Sequence, residues 1–375
     1  MGSKMWLIIG IVVVALIVAF AYMRGTDTAV SESGPIKIGV SMPLSGEAAS
    51  YGEAGRAGLE LALKEINDAG GVNGRTVELI YEDDTCDSTG ATVFQKLTSI
   101  DNVVAIIGPV CSAAAGPALP IARAAGTPTI LIGASAPGLA GGDDSIFSNY
   151  ASDSLQGKFV ADYVYNTLGK RKVAVLYVKN DWGQGLQQVF SDSFTALGGT
   201  VVFNDGAAQD ATDVKTLLTK IKAEQPDLIY LPAYPALAVV TLRQMKDLGM
   251  ITPVMGGDAL VGDEFLNSGV ADGVMYVTGA VGTPDSFKDK VKALSGSDTA
   301  INIITPLGYD ALHILANVIA EKGTDPKAIV EGLKGLNYTS GISFSVISYD
   351  QNGDLKEAAY DVNVVKGKTP EKLSL

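Results

Sequence analysis

The sequence predicts an α/β protein of two lobes, each built on a parallel sheet with helices on both faces, behind one apolar N-terminal helix. Three observations carry that prediction. Short apolar runs alternate with longer runs of helical period from Ile36 almost to the C-terminus. The alternation restarts once, after Ser148-Asn149-Tyr150, and so divides the chain into two halves of similar build. At 375 residues the chain is also longer than one hydrophobic core ordinarily serves.

The segment Met5 to Met23, MWLIIGIVVVALIVAFAYM, is uncharged and, as a helix, nearly matches the hydrocarbon thickness of a bilayer. Lys4 and Arg24 flank it. Ala19-Phe20-Ala21 has the small-x-small pattern of a cleaved signal peptide, whereas the length of the apolar run favours a retained anchor. A retained anchor is the expectation, making residues 1–24 a signal or membrane anchor. No cysteine precedes residue 36, so a lipid-modified cysteine is excluded there. Residues 25–35 are small and polar and read as a linker. The absence of a second long apolar run puts the remainder on one side of the membrane, expected to be the outside.

After the linker, Ile36–Ser41 reads as a strand, and 52–69 as a helix with its apolar face at Leu59, Ala62, Leu63 and Ile66. Gly70-Gly71 ends that helix. Strands follow at 76–81, 103–107 and 128–132, separated by helices at 89–100 and 113–125. Such a succession argues for a parallel sheet covered on both faces. In the second half, helices at 155–168, 183–197, 214–223 and 236–248 alternate with strands at 172–178, 200–204, 227–231, 254–255 and 274–278. Helices at 286–294, 306–321 and 326–336 come next. The chain is expected to close with strands 342–349 and 358–365, joined as a hairpin through Asp350-Gln351-Asn352-Gly353.

Composition narrows the function before any motif does. Hydrophobic residues make up 47% and charged residues 18%, which excludes a disordered chain or a coiled coil. Acidic residues outnumber basic ones 41 to 28, for a formal charge of -13, so no nucleic-acid partner is expected. The single histidine, His313, reads as a packing residue, and two cysteines alone make no zinc site. No cofactor, no metal and no catalytic residue is expected.

In parallel sheets, ligands bind beyond the carboxyl ends of strands, where helix N-termini point. Gly108-Pro109-Val110-Cys111-Ser112 is such a loop, with Ser112 placed to cap the following helix. Gly133-Ala134-Ser135-Ala136-Pro137 is a second, with small residues that let a ligand approach the backbone. Tyr51 follows the first strand. From the second half come Asn180-Asp181-Trp182-Gly183, Pro232-Ala233-Tyr234-Pro235 and Gly256-Gly257-Asp258-Ala259. Together they offer two hydroxyls, aromatic faces and one carboxylate, the complement of a zwitterion with a modest apolar side chain. Its carboxylate would sit on Ser112 and Ser135 and its ammonium on Asp258, with Trp182 and Tyr234 closing over it. Taken singly, each residue also fits an ordinary structural role, as a helix cap, a half-buried aromatic, a turn aspartate or a buried thiol. Their convergence on one cleft carries the reading.

These stretches, with IKIGVSMPLSGEAASYGEAGRAGLELALKEINDAGGVNG, YEDDTC, IIGPVCS, GASAP, NDWGQG, AYP, LRQMKDLG, MGGDAL and YDAL in that order, resemble the substrate-binding proteins of branched-chain amino-acid ABC transporters. The resemblance covers Ile36 to the C-terminus. It implies a type I periplasmic-binding fold: two Rossmann-like lobes joined by three crossovers, one of about 36–153 with 281–360, the other 154–280 with 361–375. It implies carboxylate binding by Ser112 and Ser135, amine binding by Gly133 and Asp258, and ligand contacts from Val110, Ala134, Tyr51, Trp182 and Tyr234. It also implies a disulfide between Cys86 and Cys111. Two departures bear on the side-chain pocket: an aspartate stands at 258 where glutamate is common, and Pro306 stands where an aromatic is expected near 305–307.

The function implied is an extracytoplasmic, monomeric receptor that closes on an amino acid and delivers it to permease subunits. A sensor of the same fold is a weaker reading, since only Met1 to Lys4 precede the anchor. Binding of amides or small organic acids is the alternative for the ligand. An enzyme has no nucleophile elbow, metal cluster or second histidine to rest on.

Overall fold

Strand β1 (Ile36–Met42) sits inside the first of two sheets, and its sequence explains why. Ile36, Ile38, Val40 and Met42 are buried on one face, while Gly39 keeps the other face low under the helix that follows β2. The computed structural model describes residues 34–373 apart from Glu47, 142–144, 297, 298, 300 and 357. The expected anchor at 1–24 and most of the linker lie outside the described residues. Among the described residues no helix is long and apolar enough to cross a membrane. Residues from Ile36 onward form one compact unit.

The first sheet has five strands in the order β2-β1-β3-β4-β5. β2 is Val77–Asp83, β3 Ala105–Ile107, β4 Thr129–Leu131 and β5 Ile146–Ser148, and all pairings are parallel. Helices α1 (Ala49–Asp68), α2 (Gly90–Ser99) and α3 (Ser112–Ala125) make the crossovers. β3 shows how three residues serve two cores. Ile107 and Ala105 face a cluster with Leu59 and Leu315, and Ile106 faces the other with Phe94, Leu97 and Leu119. The segment 146–148 is a strand where the sequence showed only a break, because three residues are too short a run to carry a period.

The chain then crosses to a second sheet, of seven strands in the order β12-β11-β10-β9-β8-β6-β7. Helix α4 (Asp153–Asp162), capped by the Ser152 hydroxyl, opens this half and runs into a single π-helical turn at Tyr163–Thr167. β6 (Lys172–Val178), α5 (Asp181–Ala196), β7 (Thr200–Ala207), α6 (Lys215–Glu224), β8 (Leu228–Leu231), α7 (Pro235–Asp247) and β9 (Val254–Gly256) continue the alternation. A short helix, α8 (Asp263–Leu266), precedes β10 (Met275–Gly279).

From β10 the chain returns to the first sheet. α9 (Asp285–Ser295), α10 (Ile304–Lys322) and α11 (Pro326–Lys334) pack there, with α10 lying along α1. That contact depends on Gly58, where a Cβ would stand 1.9 Å from the Thr305 carbonyl oxygen. A last crossing brings β11 (Tyr360–Lys366) and β12 (Thr369–Lys372) to the edge of the second sheet.

Two expectations need correction. The second sheet is parallel only as far as β10, since β11 pairs antiparallel with both β10 and β12. The hairpin is therefore β11–β12, turning at Gly367-Lys368, and not 342–349 with 358–365. Asn352-Gly353 does turn the chain, but the Gly353 carbonyl accepts the Ser148 N–H, and residues before it make only single bridges, Tyr338 with Ile347 and Tyr349 with Leu355. The buried Asp310 carboxylate holds this segment instead, accepting the N–H groups of Ile342 and Ser343 at 2.9 and 2.8 Å. A tertiary anchor overrides the local turn signal.

Candidate functional site

The loops beyond the carboxyl ends of the strands in the two sheets face one another across a cavity. The cavity amounts to about 430 Å³, counting the part open to solvent. Tyr51, Val110, Cys111, Ser112, Gly133 and Ser135 line it from the first sheet's side, and Trp182, Tyr234, Asp258 and Ala259 from the second's. Tyr150, Ile304 at the start of α10 and Ile303 just before it complete the lining.

On the first side, the hydroxyl of Ser112 accepts the backbone N–H groups of Ser135 and Ala136, both at 3.1 Å. This ties two strand-end loops together. It also corrects the expectation that Ser112 caps its own helix. α3 begins at Ser112, with Cys111 in the capping position and making no side-chain cap bond. With two N–H groups on its oxygen, the Ser112 hydroxyl keeps its own proton to donate beside the N-terminal amides of α3. Cys111, next to it, is disulfide-bonded to Cys86 beyond the end of β2, and this anchors the loop to the neighbouring strand.

The second side supplies rings and a carboxylate. Trp182 opens α5 behind Asn180, whose side chain accepts the Gly183 N–H at 2.9 Å. Its ring stacks on Tyr234 with centroids 5.0 Å apart and planes 17° from parallel. Asp258 follows β9 and is buried. The Tyr51 hydroxyl crosses the cavity and donates to the Ala259 carbonyl at 2.6 Å.

A family model described as periplasmic binding protein matches residues 35–369 of this chain. The chain belongs to the periplasmic binding protein family. Among curated proteins, the Leu/Ile/Val-binding protein homolog 3 of Brucella melitensis is 29% identical over 92% of this chain and 95% of its own length. A crystal structure of a leucine-binding protein from Thermotoga maritima superposes with a TM-score of 0.83 at 27% identity, over 90% of this chain and 98% of that one. A branched-chain amino-acid transporter substrate-binding protein from Streptococcus pneumoniae, solved with isoleucine, gives a TM-score of 0.80 at 27% identity over 90% and 98%. The fold is therefore the α/β type I periplasmic-binding fold, and the family places such proteins outside the cytoplasm.

In this periplasmic binding protein the predicted residues do not all stand as read. Ala134 turns its side chain into the core of the first sheet and does not line the cavity. The Ser135 hydroxyl donates to Asp153 Oδ2 at 3.0 Å, which commits its proton to the acidic side of the cavity. Ile303 and Ile304 fill the wall where an aromatic was expected near Pro306. His313 packs on the Tyr309 ring, well away from the cavity, with burial holding its pKa below the ordinary value.

Three residues at or behind the cavity escaped the sequence reading: Tyr150, which lines it, and Asp153 and Gln156, buried next to Asp258. All follow β5, the strand that carried no signal. Gln156 links the two residues, donating from Nε2 to Asp153 Oδ1 at 2.8 Å and accepting the backbone N–H of Asp258 at 3.2 Å. The Tyr150 hydroxyl accepts the Gly279 N–H at 3.2 Å and donates to the Asp258 carboxylate. Burial pushes the Asp153 carboxyl well above its ordinary range, with the charge of Asp258 adding to the effect. Burial also raises Asp258, against the hydrogen bonds from Tyr150 and Gln156. The signal that could have found Asp153 is the Tyr150-Ala151-Ser152-Asp153 run itself, a helix start following apolar residues.

Proposed function

We propose that the cavity binds a free amino acid with an aliphatic side chain, and that the chain is the extracytoplasmic substrate-binding component of an ABC importer. The observation that carries this is the polarity of the cavity. A hydroxyl donor and a helix N-terminus stand at one pole, and the Asp258 carboxylate, which forms no ion pair with a lysine, arginine or histidine of the described residues, stands at the other with Asp153 buried behind the lining. Such a pair of poles is complementary to an α-carboxylate and an α-ammonium group and to little else. In this reading Ser112 and the first amides of α3 hold the carboxylate. Asp258, Ser135 and the Gly133 carbonyl hold the amine. Val110, Ile303 and Ile304 with the rings of Tyr51, Trp182 and Tyr234 surround the side chain.

The names of the relatives support the same ligand class. Closure of the two lobes over the ligand, driven by the ligand's higher affinity for the closed state, presents one shape to the permease. The apolar run Met5 to Met23 would tether the domain at the membrane.

Calorimetric titration with leucine, isoleucine, valine, alanine, glutamate and phenylalanine, with the ligand recovered afterwards, tests the reading. Saturable 1:1 binding of the aliphatic set and recovery of unchanged ligand are expected. Silence across that set, or conversion of the ligand, would overturn it.

A further inference from the structure

The acidic pole of the cavity has more carboxyl groups than one ammonium group requires, Asp258 in the lining and Asp153 buried behind it. Asp153 is fully buried at the first turn of α4, and Asp258 is 6% exposed beyond β9. One amide, that of Gln156, contacts both residues, so they are held in a fixed relation by a single side chain. Both Asp153 oxygens are occupied, Oδ1 by Gln156 and Oδ2 by the Ser135 hydroxyl. Every titratable group bearing on the pair is itself acidic. These are the hydroxyls of Tyr150, of Tyr230 on β8, of Tyr234 before α7 and of Tyr360 on β11, with Tyr51 on α1 bearing on Asp258. Beyond them, Glu264 faces Tyr51 and Asp354 faces Tyr360. No lysine, arginine or histidine among the described residues pairs with either carboxylate.

We propose that Asp153 and Asp258 hold one proton between them in the empty cavity, and that the ammonium group of the ligand displaces this proton to solvent on binding. The proposal rests on the amino-acid reading above and adds to it a coupling between ligand uptake and proton release. The physical cause is the cost of two unpaired charges in one dry site. In the empty cavity the second ionisation has nothing to compensate it, and burial raises both carboxyls. When R–NH₃⁺ enters, the site exchanges one positive charge for another: the ammonium stays against Asp258 and H⁺ leaves, with Asp153 ionised behind the cavity lining on its Gln156 and Ser135 hydrogen bonds. The pair then titrates as a unit, and its proton belongs to neither residue alone.

The sign of the pH dependence follows. The ligand binds the deprotonated pair, so affinity falls as the pH is lowered, by up to about tenfold per pH unit where the empty site holds its proton.

The test is leucine titration of the full chain in buffers of differing ionisation enthalpy at neutral pH, with infrared difference spectra recorded on the same samples. Expected are release of close to one proton per leucine bound and loss of a protonated-carboxyl band on binding. In Asp153→Asn the proton release and the band should both vanish, and the leucine affinity, whatever its value, should no longer change with pH around neutrality. Asp258→Asn, a second way to remove the pair, should also abolish the band in the ligand-free protein. Leucine binding without proton release in the unsubstituted chain would overturn the proposal and leave the amino-acid reading standing. A protonated band in the empty protein with no binding of any aliphatic amino acid would instead overturn that reading, and the uptake coupling with it.

Discussion

Asp84 and Asp258 are both buried carboxylates, and their neighbours give them different roles. Asp84 directly follows β2, accepting the Ser41 hydroxyl at 2.8 Å and the Cys86 N–H at 3.0 Å, and does not line the cavity. Burial pushes its pKa up to about 6, against those hydrogen bonds. A carboxyl raised in the folded state favours folding most when protonated, below its unfolded value near 3.8, and that contribution is lost as the pH rises through about 6. Asp84→Asn keeps both hydrogen bonds, the amide oxygen accepting from Cys86 and the amide N–H donating to Ser41, without a charge to bury. Melting of this variant is expected a few degrees above that of the unsubstituted chain at pH 8, with the gap closing towards pH 4. A lower melting temperature at pH 8 would contradict this account of Asp84. At this scale most of the cavity was legible, because Ser112, Ser135, Trp182, Tyr234 and Asp258 stand directly after recognisable strands. Asp153 was not, because its strand, β5, is three residues long and its acid sits on the helix that leads away.

Among elements, the contact between α1 and α10 links packing to the cavity. A Cβ at Gly58 would meet the backbone oxygen of Thr305, one residue beyond the Ile303-Ile304 wall. Gly58→Ala must push the two helices apart, at a cost of about 1–3 kcal/mol. Denaturant unfolding should register that loss, and leucine affinity should fall with it because the start of α10 moves. Full stability in this variant would show that the helices can slide without effect. Sequence periodicity located both helices but gave no sign that they touch, since they stand over 200 residues apart. The misplaced hairpin has a similar cause. Asn352-Gly353 is a sound local turn signal, yet its pairing partner is chosen by Ser148 and by the Asp310 carboxylate, which no local pattern reveals.

Across the whole molecule, elements of the two sheets touch one another directly. Gly116 of α3 stands close to the Asp181 carboxylate at the start of α5, and Gly185 stands against Pro137. On the other side of the cavity, Tyr51 reaches the Ala259 carbonyl beside Asp258. This hydrogen bond exists only while the lobes are together, so it favours the closed state whether or not ligand is present. Tyr51→Phe keeps the ring against the ligand and removes the bond. Its expected effect is a loss of about 1 kcal/mol of closure energy, read as roughly fivefold weaker leucine binding by calorimetry. Small-angle scattering should show a more open ligand-free molecule. Unchanged affinity and scattering would mean that closure does not depend on Tyr51. The two-sheet plan was legible from alternation alone, whereas the returns of α9–α11 to the first sheet and of β11–β12 to the second were expected only from the family resemblance. A linear reading joins neighbours in sequence, and these elements choose partners by the faces they must bury.

The central claim is that the cavity holds an amino acid by both of its charged ends. It is tested most directly by titrating the chain with leucine and with its two one-ended analogues, 4-methylpentanoate and 3-methylbutylamine. Leucine should bind saturably, and each analogue at least about 100-fold more weakly, because each leaves one buried pole without its partner. Binding of 4-methylpentanoate as tightly as leucine would contradict the claim, since the acidic pole formed by Asp258 would then have no part in recognition.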